Sequence, residues 1–335
     1  MDPVSHAAFG RTLIALDDRR ILGPGAITAC VIGSLAPDID AVRMPMGWDV
    51  YLRQHQQGTH SLAGAAACAA LTAAALQPFC RGSRYLPLLL AACAGAWGHL
   101  LLDVLSGADI RFFWPMGRTV ALPLFAMADP WLGGLLVLGV LALLVGRAHA
   151  ARAAGLVLTA VTILAAGKLA LYERVRTTDG SSDAGVLARR AENVWGSLTR
   201  WTVFEATRES ATSRRVDAVT RLSVPGLAVR RGLDDRLVLR SRQIPAVRNF
   251  EAAHDITFAI VLDAGADRPQ VLWSDLRYCG PPPQLPRSAP WSPADLGTAS
   301  PLSCALWFGG EFDREGAATA SIVRVGQLVQ RRSLR

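Results

Sequence analysis

From Ile21 to Tyr172 the chain is rich in Ala, Leu, Val and Gly; from Glu173 to Arg335 it is not. An apolar region of that length has to be covered by protein or by lipid. Pro, Gly and charged residues divide it, with the segment before it, into about six helix-length pieces. These run over Pro3–Leu16, Ile21–Ala36, Ser61–Phe79, Leu86–Leu105, Leu122–Val145 and Ala153–Tyr172. The last four approach the ~20 apolar residues that a membrane span requires. The first two are short and suit re-entrant or packed helices. The expected fold class is an α-helical multi-span membrane domain of about four to six helices, followed by a soluble, mainly β (α+β) C-terminal domain. The boundary is expected between residues 172 and 173.

The C-terminal half alternates in the manner of strands. Arg200–Glu205, Asp255–Leu262 and Pro269–Tyr278 are three candidates, and Cys304–Gly309 and Ala317–Val325 read as two arms of a hairpin. Asp183–Trp195 reads as a helix, and Pro281 to Pro293 as a proline-rich loop.

Lys168 is the only lysine in a chain of net charge +8, so the basic excess is arginine. The arginines of the first half fall between apolar segments, which points to a membrane surface. No basic stripe interleaved with aromatics is present, so no nucleic-acid partner is expected. The six cysteines include no CxxC pair, which argues against a zinc ribbon or a thioredoxin-like motif. Cys279 and Cys304 could pair if the second half lies outside the cytoplasm.

Four of the six histidines lie in the first 103 residues, within otherwise apolar sequence. Imidazoles and carboxylates are costly to bury unless they are paired or bind metal. His99 and Asp103 are one helical turn apart and share a face. They could grip one ion, or simply hydrogen-bond each other. Asp38 and Asp40 follow Pro37 at a helix end, where their charge opposes the helix dipole and capping explains them poorly. His60 opens an Ala-rich helix whose N-cap Thr59 or Ser61 could supply unaided. His6 alone would read as a satisfied core histidine, and His55 as more exposed. With alternating helix directions, all of these and Asp129 fall near one membrane face. Seven candidates (His6, Asp38, Asp40, His60, His99, Asp103, Asp129) exceed the four that one zinc needs, so two or three ions are expected. Zn²⁺ suits this donor mix, and Mn²⁺ or Fe²⁺ is possible. On the far face the loops carry Arg19, Arg20, Arg81, Arg84, Arg147 and Arg152, against Arg43, Arg53, Arg111 and Arg118 on the site face. Six against four favours a site facing away from the cytoplasm by the positive-inside rule, a margin that Arg174 and Arg176, just past the last span, nearly cancel.

The order His6, Pro37-Asp38-Ile39-Asp40, His55-Gln56-Gln57-Gly58-Thr59-His60-Ser61 and His99-Leu100-Leu101-Leu102-Asp103 resembles the YdjM-like family of bacterial membrane-bound metal-dependent hydrolases. Phe113-Trp114-Pro115 and Asp129-Pro130 fit the same pattern, and Val271 to Tyr278 resembles a segment of longer members. The resemblance implies an inner (cytoplasmic) membrane location. It also implies His6, Asp38, Asp40, His60, His99 and Asp103 as metal ligands, with Asp129 and His55 as catalytic groups. One departure matters: the family places an arginine directly after the first histidine of the Thr-His-Ser run, and here Gln56 follows His55. A phosphate-binding arginine is therefore missing at that point, and Arg53 is the available substitute for contact with the substrate. The motif order is also similar to helical zinc-dependent phospholipase C and related nucleases. That likeness implies phosphoester hydrolysis by a metal-activated hydroxide, with a small molecule or lipid as substrate and membrane lipids as neighbours. Asp275 and Arg277 share a strand face and are either a surface salt bridge or a contact to substrate phosphate. The rival reading is a non-catalytic membrane protein with a structural metal site or ion path and a partner-binding tail.

Overall fold

The computed structural model describes residues 1–17, 21–145, 149–178, 185–280 and 303–334. Arg19, Arg20, Arg147 and the proline-rich run lie outside the described residues. The first part is helical: α1 (Pro3–Ile14), α2 (Ala26–Gly33), a 3-10 helix (Ala36–Met46), α3 (Trp48–Gln54), α4 (Leu62–Leu76), α5 (Tyr85–Leu105), α6 (Pro130–Val145) and α7 (Ala150–Thr178). Among the described residues, α5 and α7 alone are long and apolar enough to cross a membrane, with a third span if the pair Trp48–His60 and Leu62–Leu76, bent by 81°, counts as one. The expected four full spans are therefore not found among the described residues. The expected Leu122–Val145 helix begins only at Pro130. Pro123 and Asp129-Pro130 divide it, and the Asp129 carboxylate accepts from the amides of Trp131 and Leu132, which makes a helix start there.

The helices that frame the site meet at near-backbone contact. A Cβ on Gly33 would fall 2.4 Å from the Ala92 carbonyl oxygen, and one on Gly95 would fall 2.0 Å from that of Cys30. Small residues at such crossings let two helices approach closely. Here the approach brings the C-terminal end of α2 onto the face of α5 that carries Gly95, His99 and Asp103. Ala29, Cys30, Ala65, Ala69, Leu88, Ala92, Ala96 and Leu100 form the core around it.

The second part is mainly β. One antiparallel sheet has the order β1 (Ala188–Asn193), β2 (Arg200–Ala206), β3 (Ser210–Asp217), β4 (Ser223–Arg230). After α8 (Arg236–Ser241) and α9 (Pro245–Ala253) come β5 (Thr257–Leu262), β6 (Gln270–Asp275), β7 (Cys279–Gly280), β8 (Ser303–Cys304), β9 (Leu306–Phe312), β10 (Ala318–Val325) and β11 (Leu328–Ser333). The larger sheet has the order β11-β10-β9-β6-β5, and β7 pairs with β8. The expected hairpin from Cys304 to Val325 is β9 and β10, which are antiparallel. The helix expected over Asp183–Trp195 is instead strand β1 where it is described. Strand β1 is a sheet edge that pairs with β2 along its whole length, and its charged Arg189, Arg190 and Glu192 are tolerated there. Cys279 and Cys304 form a disulfide across β7 and β8.

The two parts touch at several places. Trp201 donates its Nε1–H to the Pro123 carbonyl at 2.7 Å and packs with Val175 and Tyr172 at the end of α7. Trp131 Nε1 donates to the Gly196 carbonyl and Trp195 Nε1 to that of Ala128. These reciprocal bonds tie the β1–β2 turn to the start of α6. Buried Lys168 on α7 is bonded to Asp129 Oδ2 at 3.1 Å and to Asn193 Oδ1 of β1 at 3.0 Å, and its ammonium lies over the Phe125 ring. The end of α5, the start of α6 and the end of α7 thus share the face on which the β part sits.

Candidate metal centre

His99 and Asp103 project from the last turns of α5. His99 Nδ1 hydrogen-bonds the Ser34 carbonyl oxygen at 2.9 Å, which turns Nε2 inward. His60 ends the short 3-10 turn Gly58–His60, just before α4, whose N-cap is Ser61 and not Thr59. Thr59 Oγ1 lies 3.1 Å from His60 Nδ1, so His60 also presents Nε2 inward. The outer nitrogen of a metal-bound histidine usually has such a partner. Asp38 is on the 3-10 helix after α2, where Pro37 sits in the first turn.

Four donor atoms converge. His60 Nε2 is 3.1 Å from His99 Nε2 and 3.3 Å from Asp38 Oδ1. His99 Nε2 is 3.5 Å from Asp38 Oδ1 and 3.2 Å from Asp103 Oδ2, and His60 Nε2 is 3.4 Å from the same Asp103 oxygen. A tetrahedral zinc with bonds of ~2.0–2.1 Å has its ligand atoms about 3.3 Å apart. Five of the six edges of this donor set are near that value. His60, His99 and Asp103, and likewise His60, His99 and Asp38, are spaced as three corners of such an ion.

His6 stacks on His99 with ring centroids 3.8 Å apart, and its Nε2 lies 3.3 Å from Asp103 Oδ1. His6 Nδ1 is buried with no hydrogen-bond partner, and Nε2 has only its contact with Asp103. Buried polar atoms left unpaired in this way call for a missing partner, and a cation supplies one. The Met1 α-ammonium also contacts Asp103 Oδ1. Three donor groups have ligand atoms within 4.8 Å of one another: His6-Asp38-His99, Asp38-His55-His60 and His60-His99-Asp103.

Asp40 is placed differently from expectation. Both of its oxygens lie 3.1 Å from His55 Nδ1, and one lies 3.6 Å from His60 Nδ1. It also accepts from Gln56 N–H and Thr59 Oγ1–H. Asp40 therefore stands behind His60, on the nitrogen turned away from the donor set, and against Nδ1 of His55. Nothing in the spacing Asp38-Ile39-Asp40 distinguishes an ion-facing carboxylate from an orienting one. Asp129 is not brought into the donor set: its carboxylate is taken by Lys168 and by the amides that open α6. Arg53 donates to Asn249 Oδ1 at 2.7 Å. Asp275 and Arg277 form a buried pair, neither exposed nor at the donor set. The fully buried Asp275 carboxylate accepts from Arg277 Nε and Nη2 at 2.9 and 3.0 Å and from the Ile256 amide. Arg277 lies in a 3-10 turn after the strand and not on the strand itself. Burial would raise the Asp275 pKa; the adjoining Arg277 guanidinium outweighs it and holds the carboxyl below its usual range. Thr59, Ser34 and Asn249 are contacts that sequence reasoning missed.

A description of the YdjM inner membrane protein family matches residues 1–175 of the 335. The chain belongs to that family. The matched YdjM region contains every donor described above and ends within α7. The protein is therefore an inner membrane protein with a helical N-terminal region and a mainly β region beyond the YdjM match. No curated protein and no solved structure matches the chain significantly.

Proposed function

We propose that this inner membrane protein is a metal-dependent hydrolase of phosphoester substrates, and that its substrate is a lipid. The donor set His60, His99, Asp38 and Asp103 carries the reading. These residues would hold a first ion, and His55 and His6, each with Asp38, would extend the set to two or three. A divalent ion there acidifies a bound water and neutralises charge on a phosphoester oxygen. Asp40 and Thr59 orient the imidazoles. The set is open on one side: the Asp38 side chain is 32% exposed and His55 22%, whereas the side chains of His6, His60 and His99 are fully buried. An open side is the mark of a catalytic ion, and a closed shell that of a structural one. Beside it, Ile39, Val42 and Met46 of the Asp38-bearing 3-10 helix are exposed. So are Phe113, Trp114 and Met116 of the loop that packs on Gly58. Apolar side chains around a polar site suit an acyl chain.

The test is release of phosphate or headgroup from phospholipid vesicles by reconstituted protein loaded with zinc or manganese, beside Asp38→Asn. Turnover reduced at least about 100-fold in the variant is expected. A fully metallated protein inactive on phosphomonoester and phosphodiester lipids alike would leave the structural-site reading.

We further place the site and the β part outside the cytoplasm, with the chain multi-pass. The Cys279–Cys304 disulfide supports this, because disulfides persist in oxidising compartments. With Cys30, Cys68, Cys80 and Cys93 replaced by Ala, an impermeant maleimide is expected to label spheroplasts only after reduction. Labelling confined to lysed cells would reverse the orientation.

A further inference from the structure

The helix that leads into His55 is held from the far half of the chain. Trp48 and Leu52 of α3 pack into the apolar cluster of Val238, Val247, Phe250 and Trp273. Asn249 of α9 joins two residues one turn apart on α3. Its Nδ2 donates to Asp49 Oδ2 at 2.8 Å, and its Oδ1 accepts from Arg53 Nη1 at 2.7 Å. An amide has both a donor and an acceptor, so one side chain satisfies a carboxylate and a guanidinium together. Tyr51, between them, stacks on the His55 ring with centroids 4.7 Å apart, and its carbonyl accepts from the His55 amide at 2.7 Å. The placement of α3 thus sets the His55 ring against Asp40.

We propose that Asn249 is a positioning residue of the metal centre: it fixes α3, and through α3 holds His55 where the outer donor group Asp38-His55-His60 can bind an ion. The proposal rests on the metal-centre reading. It makes the β region, which lies beyond the YdjM match, a working part of the site. The side-chain hydrogen bonds and ion pairs of the inner set, His60, His99 and Asp103, run to Met1 and α1, Ser34 at the end of α2, the 3-10 helix after it, Thr59 and one another and not to α9, so the inner set does not depend on Asn249.

Zinc titration of metal-stripped, detergent-solubilised protein against a chromophoric chelator tests it. Wild type is expected to bind a tight ion and a weaker one. In Asn249→Ala the weaker affinity falls by about 10- to 100-fold, the range for loss of an outer-shell partner, and the tight ion is unchanged. Hydrogen exchange over residues 48–60 should quicken. Should Asn249→Ala not be recovered, Arg53→Met removes one of the two bonds and is expected to shift the weaker affinity in the same direction. An unchanged weaker affinity in a variant with lost protection of α3 overturns the positioning role, as does a wild type that binds one ion only. A wild type that takes up no zinc overturns the metal-centre reading itself.

Discussion

Elemental analysis of purified protein should show zinc or manganese in wild type and its loss in His99→Ala. His99 Nε2 is within 3.5 Å of the inward donors of His60, Asp38 and Asp103, so its removal deletes one corner of the donor set. Loss of an outer-shell partner alone costs about 10- to 100-fold in affinity, and loss of a ligand should exceed that. Asp103→Asn should behave similarly, because Oδ2 faces the ion while Oδ1 engages His6. His254→Ala is the control: that buried imidazole bonds the Phe250 carbonyl and the Tyr278 hydroxyl in the β part. It should keep the metal. Metal content in His99→Ala equal to wild type would remove the centre as drawn; its loss from His254→Ala as well would point to general unfolding.

Lys168→Met is expected to be the most destabilising substitution outside the centre. It strands the Asp129 carboxylate, which is fully buried, and removes a bond to Asn193. Breaking one side of a buried ion pair costs about 3–5 kcal/mol, whereas replacing both partners by neutral groups is often close to neutral. Thermal unfolding in detergent should therefore show a large loss for Lys168→Met and substantial recovery in Lys168→Met with Asp129→Asn. The recovery is incomplete, because an asparagine caps α6 without the carboxylate's charge. A single variant as stable as wild type, or a double variant no better than the single, would mean that the pair does not tie α7 to the start of α6.

Much of the site was legible because its chemistry is improbable in its setting. His6, Asp38, His60, His99 and Asp103 stand out of apolar sequence, and the one-turn spacing of His99 and Asp103 survives folding unchanged. What was illegible depends on tertiary geometry. Which nitrogen of an imidazole a carboxylate meets follows from ring orientation, so Asp40 could not be told from Asp38. Asp129 was grouped with the donors because it lies at the right membrane face, yet its partner Lys168 is 39 residues away on another helix. Strand β1 was misread because a short run rich in Arg and Ala has fair helix propensity, and only pairing with β2 decides against it. Arg53 was expected at the substrate because nothing local shows that its partner is 196 residues distant.

That separation bears on how the protein is made. During synthesis α3 emerges long before α9, and until α9 exists Trp48 and Leu52 have no core to enter and Asp49 has no amide. The inner donors are all present by Asp103 and can be brought together as α5 packs. The His55 arm closes only when the last third of the chain has arrived and folded. A ribosome stalled after α7 would hold the inner donors together with an α3 that still lacks its α9 contacts, so the His55 arm of the candidate site is completed only by the β part.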